Sequence, residues 1–464
     1  MRLQEIIGIL RGNIFFAFSA LIVLSILFLI AYYVIYKKFL GEKKGINKKR
    51  FLLVGLFLSY LLMVLGVTFL NRGANNFSGS VNLSLFSSYR EAWYLFSVRH
   101  WQFIYFNILM FVPFGMILPL LHSRFQKVRW TIGLAMIFTL SIETVQYITG
   151  FGIFEFDDLF NNVLGAVIGY GFTMGVMAYK SKGIKQSIAF FSPFLLVILF
   201  SFGMIAYYET KEFGNLSIVP SSKTNMKNTT VTTSIQLNNE RDTAIVYKAA
   251  GLTNESAEQF VKNFFEGMQL DSSNMEIISY QNEAIYWLGE NRTHNMWVDF
   301  LNGSYRYQDF SSFDENVKPQ VSDENTLKNR LKEFDITIPQ QADFKQLKTG
   351  TYEWTVDKLE VDNQLIDGSL KVDYYDDDTV KGFDHQIVTY DKAKDIQLKG
   401  ELAAYEEILA GNFKYNENKR IKTVQIEQVD LSYQLDSKGF YQPVYAFSTL
   451  IDGKEVTILV PGIL

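Results

Sequence analysis

The chain contains no cysteine. That excludes disulfides, thiolate metal sites and cysteine nucleophiles together. Histidine is nearly as scarce: His100, His122, His294 and His385 are scattered, so no histidine-based metal centre is expected. No glycine-rich phosphate loop follows a strand-like run. Acid is what the first 208 residues lack. They hold 7 Asp and Glu against 18 Lys and Arg, a net +11, while residues 209–464 hold 41 against 26, a net −15. The acidic half argues against nucleic acid as a partner. A length of 464 residues allows two to four domains, and the charge split places its two halves in different solvents.

The oily half carries six apolar runs near the 20 residues that cross a bilayer of ~30 Å hydrocarbon thickness. They fall at about 14–36, 51–70, 102–121, 130–149, 159–179 and 187–208. The opening MRLQEIIGILRGN precedes the first run without a small-residue cleavage site, which predicts a retained helix. Basic residues collect in alternate loops: Lys37 to Arg50, then Arg124, Lys127 and Arg129, then Lys180, Lys182 and Lys185. Loops rich in Lys and Arg stay in the cytoplasm. The expected protein is therefore multi-pass in a cytoplasmic membrane, with its N-terminus and residues 209–464 outside.

Polar groups inside membrane helices are costly and point to function by default. Glu143 and Gln146 share a face of the fourth run, three residues apart. Asn107 lies at a similar depth of the third, and Asp157, Asp158 and Asn162 open the fifth. The spacing predicts that these groups gather near the outer leaflet. Asp157 or Asp158 also suits a cap of the fifth helix. Gly165/Gly169 and Gly171/Gly175 form small-xxx-small pairs that let helices approach closely. Pro113 with Gly115 predicts a kink in the third helix and a freed carbonyl.

The runs FNILMFVPFGMILPLL and IETVQYITGFGIFEFDDLFNNVLGAVIGY resemble the VanZ-like membrane domain. The order N…P-x-G…P, then E-x-x-Q, then acid-x-D-D, then N-x-x-G-x-x-x-G falls on Asn107, Pro113, Gly115, Pro119, Glu143, Gln146, Glu155, Asp157, Asp158, Asn162, Gly165 and Gly169. VNLSLF, with Asn82, resembles the segment before the third helix. The likeness covers about residues 50–180. Glu155 stands where the family more often has Asp, and its frequent loop Arg has no counterpart near Gly152. The resemblance implies a bacterial envelope protein linked to reduced susceptibility to teicoplanin-type glycopeptides and lipoglycopeptides, with no established reaction.

Residues 209–240 are rich in Ser, Thr and Asn and predict a linker or an initial strand. Beyond them, residues 241–464 predict an α+β domain of three helix-then-strands units. Their helices begin near TNESAEQF, ENTLKNRL and GELAAYEE, the first with a stripe of Ala257, Phe260, Val261, Phe264 and Met268 capped by Thr253 or Asn254. Asn302–Gly303 and Asp452–Gly453 are hairpin signals. The run Asp373–Asp378 lacks the spacing of a calcium loop and reads as a solvated hairpin tip. Trp287, Trp297 and Trp354 fit a sheet core better than a sugar platform. The last 70 or so residues resemble the PepSY-like and YycH/YycI-like outer domains of envelope regulators, which bind or regulate.

The expectation is thus a polytopic α-helical membrane bundle of about six spans followed by an extracytoplasmic α+β domain. Its expected role is non-enzymatic: to bind or shield a membrane lipid or cell-wall precursor through Asn107, Glu143, Gln146, Asp157, Asp158 and Asn162. No cofactor or metal is expected, and the outer domain is expected to engage an envelope protein. Two alternatives stand beside it. One is an intramembrane enzyme on a lipid-linked or peptide substrate, with Glu143 as general base. The other is an envelope-stress sensor acting through the outer domain.

Overall fold

A computed structural model describes residues 48–70, 80–289, 292–311, 317–415 and 420–464. The first predicted run, 14–36, lies outside the described residues. The chain divides into two compact units at Lys211/Glu212, with Tyr94–Phe96 counted in the second.

The first unit is a helical bundle. Among the described residues five helices are long and apolar enough to span a membrane. These are α1 (Lys48–Leu65, continued by a π-turn Gly66–Leu70), α3 (Val98–Leu121), α4 (Val128–Thr149), α5 (Phe156–Lys182) and α6 (Ile184–Thr210). A short helix, α2 (Ser87–Leu95), precedes α3. The chain reverses at 122–127, at 150–155 and at Gly183, whose φ of 82° lies in the left-handed region. Ser201 bonds Tyr105 at 2.5 Å and Ser187 bonds the carbonyl of Gly175 at 2.8 Å. The starts of α3 and α5 therefore share one end of the bundle with the ends of α4 and α6. The bundle core is apolar, built on Tyr60, Val64, Phe111, Phe114, Leu118, Ala135, Ile142 and Ala166.

The α3–α5 contact is set by glycine. A Cβ on Gly165 would stand 1.9 Å from the carbonyl oxygen of Ile108, and one on Gly169 equally close to that of Val112. Gly115 meets the backbone of Ala166 in the same way. Close backbone approach of this kind is what small residues permit in membranes. Helix α3 runs unbroken through Pro113 and Pro119. The hydroxyl of Tyr60 donates to the carbonyl of Met110 one turn before Pro113, at 2.7 Å.

The second unit is α+β. Its helices are α7 (Asn254–Gly267), α8 (Glu324–Leu331) and α9 (Glu401–Leu409). Thr253 and Ser256 form a reciprocal capping box on α7. Between and after the helices run antiparallel strands, including β6 (Glu283–Leu288), β7 (His294–Asp299), β8 (Tyr305–Asp309), β10 (Thr351–Val361), β11 (Gln364–Tyr374), β12 (Val380–His385), β14 (Thr423–Leu435), β15 (Phe440–Ile451) and β16 (Lys454–Pro461). One core gathers α7 and α8 over β6, β7, β8, β10, β11 and β12 around Phe265, Tyr307, Leu327 and Trp354. Another lies under α9 around Ile408, Phe413, Ile426 and Phe447. Asp452 and Gly453, both at positive φ, close the β15–β16 hairpin in two residues.

Residues 230–233 of the Ser/Thr-rich stretch form a strand, β3, paired in parallel with β14. At the acidic hairpin tip, Asp377 pairs with Lys381, and Asp378 with Arg330. Trp354 is fully buried with its indole N–H on Glu324 at 3.1 Å, while Trp297 stacks on Tyr280.

Candidate functional site

The polar residues of the bundle collect at the end where α3 and α5 begin. Two short strands organise this end: β1 (Val81–Asn82) pairs in parallel with β2 (Phe154–Glu155). The pairing holds residues 80–88 against the start of α5. At 100° per residue, Asp157, Asn161, Asp158 and Asn162 fan in that order over about 140° of α5. Each step around the helix meets a different neighbour.

Asp157 is 1% exposed and serves α2. Its carboxylate accepts the backbone N–H of Phe86 at 2.5 Å and of Ser88 at 2.7 Å, and the Ser87 hydroxyl at 3.3 Å. Asn82 adds a bond to Ser87 at 2.9 Å. A carboxylate at a helix start satisfies orphan donors and suits the dipole. The helix so capped is α2. The N-cap of α5 is Glu155, whose side chain makes no cap bond, so the expected capping of α5 by Asp157 or Asp158 is replaced by bonds to neighbouring elements.

Asp158 and Asn161 face α3 and α2. Asp158 accepts from the side-chain amide of Asn107 at 2.5 Å. Asn161 is 1% exposed; its Oδ1 accepts the Tyr89 hydroxyl at 2.5 Å, and its Nδ2 has no partner among the described residues. These residues line a cavity of ≈ 290 Å³ together with Ser88, Glu91, His100 and Glu155. Among the described residues the wall carries three carboxylates and the His100 imidazole. His100 also brings a buried ring nitrogen, Nδ1, without a partner among the described residues.

Asn162 and Glu143 belong to the α4–α5 contact. The amide of Asn162 donates to the Thr139 hydroxyl at 2.7 Å. Glu143, 2% exposed, accepts the backbone N–H of Glu155 at 3.3 Å, and Gln146 is equally buried on the same face of α4. None of these three is on the cavity wall. Of the six binding residues expected from the sequence, the structure brings Asn107 and Asp158 to the cavity. Asp157, Glu143, Gln146 and Asn162 are buried in helix contacts. Glu155 and Asn161, which are not among the expected binding residues, line the cavity, as do Glu91 and His100. The 100° step between Asn161 and Asn162 was legible; which step meets α3 was not.

A second, larger cavity of ≈ 630 Å³ lies beside the first, between α2, α3, α5 and α6. Its wall is apolar except for Tyr89, Tyr105, Arg90 and Trp93, and Ile104 borders both cavities. Aromatics crowd this end of the bundle: Trp93 stacks on Tyr207 at 5.7 Å, and Trp101 on Tyr105 at 6.3 Å. Belts of Trp and Tyr mark the headgroup level of a membrane.

Residues 57–180 match the family model VanZ/LLP1 and constitute a VanZ-like domain within a multi-pass membrane protein. No curated protein matches the chain. Among solved structures, the Bacillus megaterium YpeB C-terminal domain is similar at 13% identity over 46% of this chain and 94% of its own, with a TM-score of 0.18.

Proposed function

We propose that the protein binds the polar head of an envelope lipid or lipid-linked cell-wall component in the cavity between α2, α3 and α5. The observation that carries this is Asn161. A polar side chain 1% exposed, with an unsatisfied donor on the wall of a polar cavity, is costly unless something completes it. Asn107, Asp158 and Glu155 supply further contacts on the same wall. The aromatic end of the bundle is the outer one in this reading, because Arg124, Lys127, Arg129, Lys180 and Lys185 lie toward the other end. The role is one of binding. An enzymatic role centred on Glu143 is disfavoured, since that carboxylate is engaged with the backbone of Glu155 away from the cavity.

The family likeness gives the test a phenotype. Cells producing Asp158→Asn or Asn107→Ala at wild-type level are compared with the parent for lipoglycopeptide susceptibility and for lipids that copurify with the protein. The expected result is loss of bound lipid, with raised susceptibility. Variants that are well expressed and retain both properties would remove the site.

A further inference from the structure

The larger cavity has the length of one membrane leaflet. Five residues of α6 line it: Pro193, Leu196, Val197, Phe200 and Met204. At 100° per residue they fall within about 100° of the helix, and the steps from Pro193 to Met204 rise about 16 Å. Half of a ~30 Å hydrocarbon core is about 15 Å. The other half of α6 carries Leu195, Ile198, Leu199, Phe202 and Ile205, all exposed and turned away from that face. The cavity is therefore a groove along one face of a helix long and apolar enough to span a membrane.

Packing explains why the groove stays open. Away from the aromatic end α5 and α6 are in close contact: a Cβ on Gly171 would stand 2.2 Å from the carbonyl oxygen of Phe190, and one on Gly175 would meet the Phe191 ring. Toward the aromatic end large side chains take over. Phe86, Tyr89, Phe160 and Phe200 form a collar of edge-to-face rings, with centroids 5.3 Å apart for Phe86–Phe160, 5.6 Å for Phe86–Tyr89 and 6.2 Å for Tyr89–Phe200. All four line the groove. The hydroxyls of Tyr89 and Tyr105 on the same wall are bonded to Asn161 and Ser201. The floor is buried, with Ile104 at 3% and Ile108 at 4% exposure, and the rim is open, with Leu196 at 65%.

Resting on the lipid-binding role proposed above, we infer that the groove is the tail site of the same ligand and holds one acyl chain of a membrane lipid. The smaller cavity shares Ile104 with it, and the Tyr89–Asn161 bond joins the two walls, so a chain in the groove brings its head to the polar residues. A volume of ≈ 630 Å³ is that of a small-ligand site, about 300–1,000 Å³. Lipid tails are as apolar as leucine, so leaving the bilayer for the groove gains little by hydrophobicity; close contact with a preformed wall decides. The match to one leaflet favours an ordinary acyl chain, because a long isoprenoid carrier would run past the wall at Pro193.

The test is photolabelling of the purified full-length protein in phosphatidylglycerol bilayers. Two phospholipid probes carry a diazirine on one acyl chain, near the carbonyl in the first and near the methyl end in the second, and labelled residues are mapped by peptide mass spectrometry. The first should label Phe200 and Met204, and the label should shift to Pro193 and Leu196 with the second. Both should favour this face over Leu199 and Phe202. Leu196→Trp, at an exposed position, narrows the groove and should abolish its labels while leaving those on Leu199 and Phe202, and the melting curve, unchanged. Labels spread evenly over both faces of α6, or groove labels untouched by Leu196→Trp, show surrounding lipid only and overturn the inference. Labels confined to the outward face also overturn it, the groove then being filled by another segment of the chain, such as the apolar run at 14–36. Even labelling alongside loss of copurifying lipid in Asp158→Asn removes the tail site and keeps the head site. Depth-ordered groove labels that persist in Asp158→Asn keep the tail site and remove the head site.

Discussion

At Asp157 one carboxylate receives two backbone N–H groups and a hydroxyl from the start of α2. Asparagine has the same shape but only one acceptor oxygen, and its NH2 would face a backbone donor. At least one buried donor would lose its partner, at a cost of about 1–3 kcal/mol. Asp157→Asn is therefore expected to lower the melting temperature of the purified protein, whereas Glu91→Gln is expected to leave it unchanged. A wild-type melting curve for Asp157→Asn would show that α2 does not depend on this cap. Adjacent acids thus have different work, since Asp158 instead holds Asn107 on the cavity wall. Sequence places both in the first turn of a helix, where the dipole welcomes them. It does not reveal that residues 80–88 fold back over that turn, because a two-residue strand such as β1 leaves no periodic signal.

Between elements, the pattern of small residues was informative. Gly165 and Gly169 were expected to bring helices together, and they do so against the carbonyls of Ile108 and Val112. A methyl group 1.9 Å from a carbonyl oxygen cannot be accommodated by side-chain movement, so Gly165→Ala must push α3 from α5. That separation also shifts Asn107, next to Ile108, relative to Asp158, about two turns before Gly165 on α5. The expected outcome is a loss of about 1–3 kcal/mol of stability together with weaker lipid binding. Gly133→Ala, in α4 with nothing within 4 Å of the added carbon, is the control and should match the wild type or exceed it slightly. Equal melting of the two variants would mean that the α3–α5 contact is looser than its geometry. The three helices of the C-terminal domain were legible for a similar reason. Amphipathic helices such as Asn254–Gly267, with Ala257 and Val261 fully buried, carry their packing face in their spacing. The cavity was not legible, because its wall draws on α2, α3 and α5 at once and no local pattern encodes their meeting.

The charge split along the chain corresponds to two units with separate cores, one in a membrane and one rich in sheet. Units of this kind are expected to unfold in separate transitions. Two half-buried histidines make the C-terminal transition sensitive to acid. Burial lowers the pKa of His294, opposed in part by Asp309, and Lys381 lowers it further. Burial likewise lowers that of His385, opposed by a backbone hydrogen bond and by Asp384. With folded values below the unfolded one, both rings are neutral in the folded unit at a pH where the unfolded chain has begun to bind protons. Their contribution is complete above about pH 6.5 and is lost as pH falls through the folded values. Glu283 and Asp299, raised by burial, act in the opposite sense by taking up protons in the folded state. A histidine variant isolates the effect. His385 stacks on Tyr305 with ring centroids 4.9 Å apart, so His385→Phe keeps an aromatic contact and removes the titration. In the full-length protein, acidification from pH 7.5 to 5.5 should lower the C-terminal transition, and His385→Phe should reduce that fall without altering the bundle transition. Equal pH dependence in the variant and the wild type would assign the acid response to other groups.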